Sequence, residues 1–248
     1  MLEIKNVTKK FGGLTALNNV SFKMKENEIL GLIGPNGSGK TTIFNIITGY
    51  LKATEGKILF KNENITNMAP YKIANLNISR TFQITSILND LSVKENILYG
   101  LYSKIQTNFL QNVLHNKKFH EQEIKAKDKV LDIINLVGLE SRQDDLAKNI
   151  TPFEQRKLMI AIAIAKNPKM LLLDEPAAGT TKKEQTQLID LINTIRSSGV
   201  SVIVVEHHMH LIMNVCDRVI VFNQGNKIAD DIPEEIRNDS KVIEAYLG

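Results

Sequence analysis

The sequence has no tryptophan, a single cysteine and only six prolines in 248 residues. Each scarcity removes a class of protein. With Cys216 alone no intrachain disulfide can form, so stability must come from a packed core, and the chain suits a reducing compartment. Long apolar runs are also missing: the longest, Leu158 to Ala165, falls far short of the ~20 residues a membrane helix needs, so any membrane role is expected to pass through a partner. Met1-Leu2-Glu3-Ile4-Lys5-Asn6 alternates like a strand instead of leading a basic stretch into an apolar one, and no export is expected. Nor is there an excess of one charge. The 31 Lys+Arg set against 27 Asp+Glu give +4, scattered from Lys5 to Lys241, which suits a solvated surface or an anionic membrane face and does not imply nucleic acid.

What is present is a 43% hydrophobic, 23% charged composition, enough for one globular domain or a domain with a lobe. From Leu2 to Glu28 apolar residues recur with a spacing near two, broken at Gly12-Gly13, which predicts antiparallel strands. Ile29 to Ile33, Met170 to Leu173 and Val200 to Val205 are short, nearly all-apolar runs, as expected of strands buried on both faces of a parallel sheet. Helical patterns at 39–50, 153–166 and 182–197 alternate with them, so an α/β fold is predicted. Residues 84–150 break the rhythm with helical patterns at 92–101 and 121–138, and read as a helical lobe inserted into that core. The tail returns to strands near Val219 to Phe222 and Lys227 to Ala229, then to short helices opening at Pro233 and Ser240.

The strongest chemical signal is Gly34-Pro35-Asn36-Gly37-Ser38-Gly39-Lys40-Thr41, a G-x-x-x-x-G-K-[ST] phosphate loop lying between a buried strand and a helix. Its glycines let successive N–H groups turn toward a β-phosphate, and the helix start adds its positive end. Lys40 is expected to reach the β- and γ-phosphates, Thr41 to offer its hydroxyl to Mg²⁺, and Thr42 to touch the α-phosphate. After the apolar strand 170–173 come Asp174 and Glu175, at the carboxyl edge where ligands sit in open α/β sheets. Asp174 is expected to hold Mg²⁺ through water, and Glu175 to accept a proton from the attacking water.

Together these motifs resemble the nucleotide-binding domains of ABC transporters, over essentially the whole chain. The resemblance implies an α/β P-loop NTPase (RecA-like) core with an antiparallel β subdomain, at 1–83 and 155–248, and a helical lobe at 84–154. It makes Phe11 the aromatic residue on which adenine stacks. Gln83, in Arg80-Thr81-Phe82-Gln83, becomes the glutamine that senses Mg²⁺ and water, and His207 the switch histidine that bonds the γ-phosphate. It further implies ATP and Mg²⁺ as ligands, membrane permease subunits and a second ABC ATPase as partners, and the cytoplasmic face of the membrane as the place of work. A metal site at His207, His208 and His210 is set aside, because no acidic or cysteine ligand cluster accompanies them in the sequence. Arg80 to Gln83, an insertion near 102–120, Asp174 to Gly179, Glu206-His207 and the terminal Val242 to Gly248 are similar to the branch that imports branched-chain amino acids, where specificity lies in the permease and a solute-binding protein.

One segment departs from the family. Where its signature reads close to L-S-G-G-Q, this chain has Ile150-Thr151-Pro152-Phe153-Glu154. Pro152 lacks an N–H, Phe153 adds bulk and Glu154 adds negative charge where a partner's triphosphate is expected. Thr151, Pro152 and Glu154 also spell a helix that caps itself. Thr180-Thr181 replace the family's apolar residue and Asn or Asp after the Asp-Glu strand. These departures favour pairing with a different ATPase over self-pairing. Two alternatives stay open: a lipid or lipopolysaccharide export ATPase, and an ATP-gated regulatory module that hydrolyses little. A DNA-repair ATPase is disfavoured, since no long heptad insertion is present.

Overall fold

A computed structural model of the chain describes residues 1–81, 87–102 and 117–247. They divide into two compact units, Met1–Arg80 with Lys169–Gly248, and Thr81–Pro168.

The first unit carries two sheets. Strands β1 (Leu2–Phe11), β2 (Leu14–Met24), β4 (Glu55–Phe60) and β5 (Glu63–Asn64) form an antiparallel sheet in the order β2-β1-β4-β5. Strands β3 (Ile29–Ile33), β6 (Ile78–Arg80), β7 (Met170–Asp174), β8 (Ser201–Val205), β9 (Arg218–Asn223) and β10 (Asn226–Asp231) form the second, ordered β10-β9-β3-β8-β7-β6. Only β10 runs antiparallel to its neighbour. As their unbroken apolar runs require, every residue of β3 and β8 is buried. Helices α1 (Lys40–Ile47), α2 (Pro70–Asn75), α6 (Lys182–Ser197), α7 (Met209–Val215), α8 (Pro233–Asn238) and α9 (Ser240–Leu247) complete the unit. Leu2, Ile4 and Phe22 from the antiparallel sheet share one core with Phe44 of α1 and Leu32 and Phe222 of the parallel sheet. Phe44 is fully buried, and truncating such a side chain to Ala costs about 3–5 kcal/mol.

Parallel register aligns the strand ends. Leu32 and Asp174 both pair with Val205, so the segments after β3, β7 and β8 leave the sheet side by side at its carboxyl edge.

The second unit contains α3 (Val93–Tyr102), α4 (Lys117–Val137), a 3₁₀ turn (Glu140–Arg142) and α5 (Pro152–Ala165). Helix α3 crosses α5 closely at Gly100, where an added Cβ would lie 2.9 Å from Ile162 Cγ2. Buried Asn96 braces the entry to α3, accepting from the Leu88 N–H and donating to the carbonyls of Leu88, Leu91 and Ser92.

Two expectations need correction. The boundary expected at 155 falls instead after Pro168, because Leu158, Ala161 and Ala165 of α5 are buried in the helical unit. Elements β4, β5, α2 and β6 occupy a stretch, 51–80, to which no strand or helix was assigned. Most of the polar insertion at 102–120, and Gln83, lie outside the described residues.

Candidate nucleotide-binding site

The phosphate loop connects β3 to α1, and its shape depends on glycine. Gly34, Gly37 and Gly39 have φ of 145°, 79° and 108°. A Cβ on Gly34 would meet the Phe222 carbonyl oxygen at 2.1 Å, and one on Gly39 would meet Leu17 Cδ2 at 2.7 Å and the Ala16 carbonyl oxygen at 2.9 Å. Strand β2 and the turn after β9 thus hold the loop from outside, helped by the Gly225 N–H donating to the Ser38 carbonyl at 3.0 Å. Gly39 caps α1 in a left-handed conformation, without a side-chain hydrogen bond and with no acidic residue in the first turn. Ser38 Oγ is buried and, among the described residues, has no hydrogen-bond partner. A cradle that only glycine permits, an uncapped helix start and an orphaned hydroxyl together fit an anionic group such as a phosphate.

Lys40 is buried and folds back, its Nζ donating to the Gly34 carbonyl at 2.7 Å and the Pro35 carbonyl at 2.9 Å. Burial pulls its pKa below the usual lysine value, while the nearby Glu175 and Asp174 carboxylates oppose that shift. Cation and carboxylates, far apart in sequence, are therefore gathered at one sheet edge. Thr41 is exposed and Thr42 half-buried on the first turn of α1; Asn36 and Gly37 are exposed on the loop. Phe11 is 45% exposed at the turn end of the β1–β2 hairpin, with Lys9 Nζ 4.7 Å from its ring centroid.

Asp174 ends β7, and its Oδ2 accepts from Arg80 Nη2 at 2.7 Å. Glu175 sits at φ 46°, an uncommon conformation for a non-glycine residue, held by its N–H donating to the Val205 carbonyl at 2.9 Å. The half-buried Asp174 carboxylate and the exposed Thr41 hydroxyl are both hard oxygen donors of the kind that suit a divalent cation.

After β8 the chain turns on Glu206, which is completely buried. Its Oε1 accepts from the Ala177 N–H at 2.6 Å; its Oε2 accepts from the N–H groups of His207 (3.0 Å) and His208 (3.1 Å) and lies 2.8 Å from His208 Nδ1. This carboxylate ties the loop carrying Glu175 to the turn carrying His207, whose side chain is left half-exposed. An acidic group does then accompany the histidines, contrary to the sequence reading: Glu206, His207 and His208 bring ligand atoms within 4.8 Å of one another. Both Glu206 oxygens are already occupied by donors, which explains the cluster as a turn brace.

Three groups went unassigned as site residues from sequence: Glu206, Arg80 and Tyr246. Burial pushes the phenol of Tyr246 on α9 up in pKa and the nearby backbone of Gly34 opposes that shift, which places the C-terminal helix near the phosphate loop. Their common signal was position, at or near a sheet's carboxyl edge or in the terminal segment, and not residue type.

In the helical unit, α5 begins as its sequence predicts. Thr151 Oγ1 accepts from the Glu154 N–H at 3.3 Å, and Glu154 Oε2 accepts from the Thr151 N–H at 2.8 Å. Arg142 Nε donates to Glu154 Oε1 at 3.1 Å. Burial works against the Glu154 charge, but the bonds from Thr151 and Arg142 prevail and hold its pKa below the ordinary carboxylate range. The expected bulk of Phe153 is turned inward: the residue is 9% exposed, with Lys157 Nζ 5.7 Å from its ring centroid.

Comparison with known proteins agrees with this arrangement. The profile of the ABC transporter family matches residues 17–178, and that of the branched-chain amino acid ATP-binding cassette transporter matches residues 226–248. The chain is 38% identical to the high-affinity branched-chain amino acid transport ATP-binding protein LivG of Salmonella typhimurium, and 38% identical to BraF of Pseudomonas aeruginosa, covering 100% of this chain and 98% of each relative. Among solved structures, a nucleotide-free ATP-binding cassette from an ABC transporter superposes with a TM-score of 0.84 at 32% identity, covering 100% of this chain and 99% of the other. The ADP conformation of another such cassette gives 0.86 at 31%, covering 100% and 98%. With a phosphate cradle, an Asp-Glu strand end and these relatives all in agreement, the chain belongs to the ABC transporter family, as one of its ATP-binding subunits.

Proposed function

We propose that this chain binds and hydrolyses ATP to energise uptake of branched-chain or other hydrophobic amino acids through a membrane permease. The observation that carries it is the meeting of Lys40 with Asp174 and Glu175 beside a glycine-shaped cradle. In this role the loop N–H groups and Lys40 bind the triphosphate, Thr42 contacts it, and Phe11 offers a face to the base. Thr41 and Asp174 would hold Mg²⁺, Asp174 through water, with Gln83 as a further sensor. When bound, the ion supplies charge neutralisation on the phosphate oxygens. Glu175 accepts the proton of the attacking water at its carboxylate, and His207 steadies that arrangement. Replacing Glu175 by Gln is expected to leave ATP binding intact and to lower phosphate release by about 10²–10⁴-fold; turnover at the parent rate would remove Glu175 from the role of base.

The C-terminal match over 226–248 favours import over lipid export. The permease would hold the chain at the cytoplasmic face of the membrane, and a solute-binding protein would serve the same system without touching it.

A second reading concerns pairing. At the start of α5, Pro152 has no N–H and the capping box occupies the N–H of Glu154. That self-capping favours an asymmetric pair, in which this chain supplies a working phosphate loop and a partner ATPase supplies the better signature. ATP turnover of the chain alone, set against turnover with an added partner, tests this; equal and brisk rates would argue for a self-sufficient homodimer.

A further inference from the structure

Arg80 is the last residue of β6 and pairs in parallel register with Leu172, two positions before Asp174. Its side chain and that of Asp174 are 9% and 8% exposed. Among the described residues the guanidinium meets three acceptors: Nη2 donates to Asp174 Oδ2 at 2.7 Å, and Nη1 donates to Asn45 Oδ1 at 2.6 Å and to Thr48 Oγ1 at 3.2 Å. It also lies over the Phe44 ring, 5.2 Å from the centroid. Thr48 Oγ1 in turn donates to the Phe44 carbonyl at 2.7 Å, fixing the orientation of that acceptor.

The acceptors are placed meaningfully. Thr41, Asn45 and Thr48 stand at i, i+4 and i+7 of α1 and so share one helical face. One buried cation thus joins the face of α1 that begins with Thr41 to the carboxylate that ends β7. A planar fork with fixed N–H directions can bridge acceptors on two elements, which a single ammonium point charge cannot do with equal precision.

We propose that Arg80 is a positioning residue of the nucleotide site: by gripping Asp174, Asn45 and Thr48 together it presets the spacing of Thr41 and Asp174 for a divalent cation. This role rests on the reading of Thr41 and Asp174 as the metal-side groups. Without the grip, a nearly buried carboxylate and the last turn of α1 lose their common anchor, and ordering them falls to the cation itself, which then binds more weakly. The triphosphate cradle, built from glycine backbone and Lys40, does not depend on Arg80.

The test uses the full chain and separates metal from nucleotide. Calorimetry measures ATP affinity in excess chelator, and electron paramagnetic resonance of Mn²⁺ measures the cation midpoint with ATP present. In Arg80→Gln the metal-free ATP affinity is expected to stay within about twofold, while the Mn²⁺ midpoint rises about tenfold, equivalent to about 1.4 kcal/mol. Arg80→Lys is expected to fall between that variant and the parent. An unchanged Mn²⁺ midpoint overturns the proposal, as does an equal loss of metal-free ATP affinity, which would mark Arg80 as general support. Should Arg80→Gln fail to fold, Asn45→Ala with Thr48→Val removes two of the three acceptors, and a Mn²⁺ midpoint left unmoved there also refutes the grip. A parent protein whose Mn²⁺ binding is indifferent to ATP would instead strike the reading of the site itself, and the proposal with it.

Discussion

Two helix starts in this chain treat the same four unsatisfied N–H groups in opposite ways. Helix α1 begins at Gly39 with no side-chain cap and no acid in its first turn; α5 begins at Thr151 with a complete capping box and Glu154 in that turn. Both ends carry the partial positive charge of a helix N-terminus. The first is left for a ligand to complete, at the expense of an orphaned Ser38 hydroxyl and a folded-back Lys40. The second is completed by its own side chains. Anion binding here follows from what the sequence withholds from α1, and the same chemistry explains why the start of α5 needs no ligand and is poor in free donors.

The comparison breaks most severely at Lys40. Replacing it by Ala removes the only lysine within the loop and is expected to weaken ATP binding on the order of 100-fold, about 2.7 kcal/mol, with the melting temperature little changed. Isothermal calorimetry and a thermal melt on one sample check both halves; ATP affinity at parental strength would mean that the uncapped helix start suffices by itself. A smaller effect is expected at the other start. Thr151→Ala deletes a capping hydroxyl and should destabilise the chain by about 1 kcal/mol without altering its own ATP affinity, as read by denaturant unfolding and calorimetry. A variant of parental stability would show that the box contributes nothing to α5.

The smallest effect is one of pH. The Glu154 pKa is depressed in the folded chain, so its contribution is present above the ordinary carboxylate value and is lost as pH falls through the lowered one. Glu154→Gln should therefore melt slightly below the parent at pH 7, and the gap should narrow as pH falls past the ordinary carboxylate range and close below the lowered Glu154 value. A gap that persists unchanged in acid would assign the effect to packing instead of charge.

How much of this was legible in the sequence varied with burial. Strands β3, β7 and β8 announced themselves because both faces are covered, which demands unbroken apolar runs. Helix α6 was read at both ends, 182–197, and in the structure Thr181 and Glu184 form a capping box at its start that the sequence reading did not use. Strand β6 was missed because it is only Ile78-Ser79-Arg80, too short for any period, and β4 because Glu55, Gly56 and Lys57 are exposed at its start. The α5 boundary was misplaced because residues 158–165 of that helix are an unbroken apolar run, so their pattern could not say which unit the helix joins. At the site, the loop and Asp174-Glu175 were legible as motifs. The brace at Glu206 and the grip of Arg80 were not, since both depend on side chains from segments 29 and 94 residues apart.

The place where β6 ends has one more consequence. Strands β6 and β7 are adjacent and parallel, so the entire Thr81–Pro168 unit is, topologically, a crossover connection between neighbours, as α6 is between β7 and β8. Its covalent joins to the sheet-bearing unit lie at Arg80–Thr81 and Pro168–Lys169. One end is Arg80, already fastened to the carboxylate at the tip of β7. That join therefore sits one hydrogen bond from Asp174, so any displacement of the chain there is felt directly by the carboxylate.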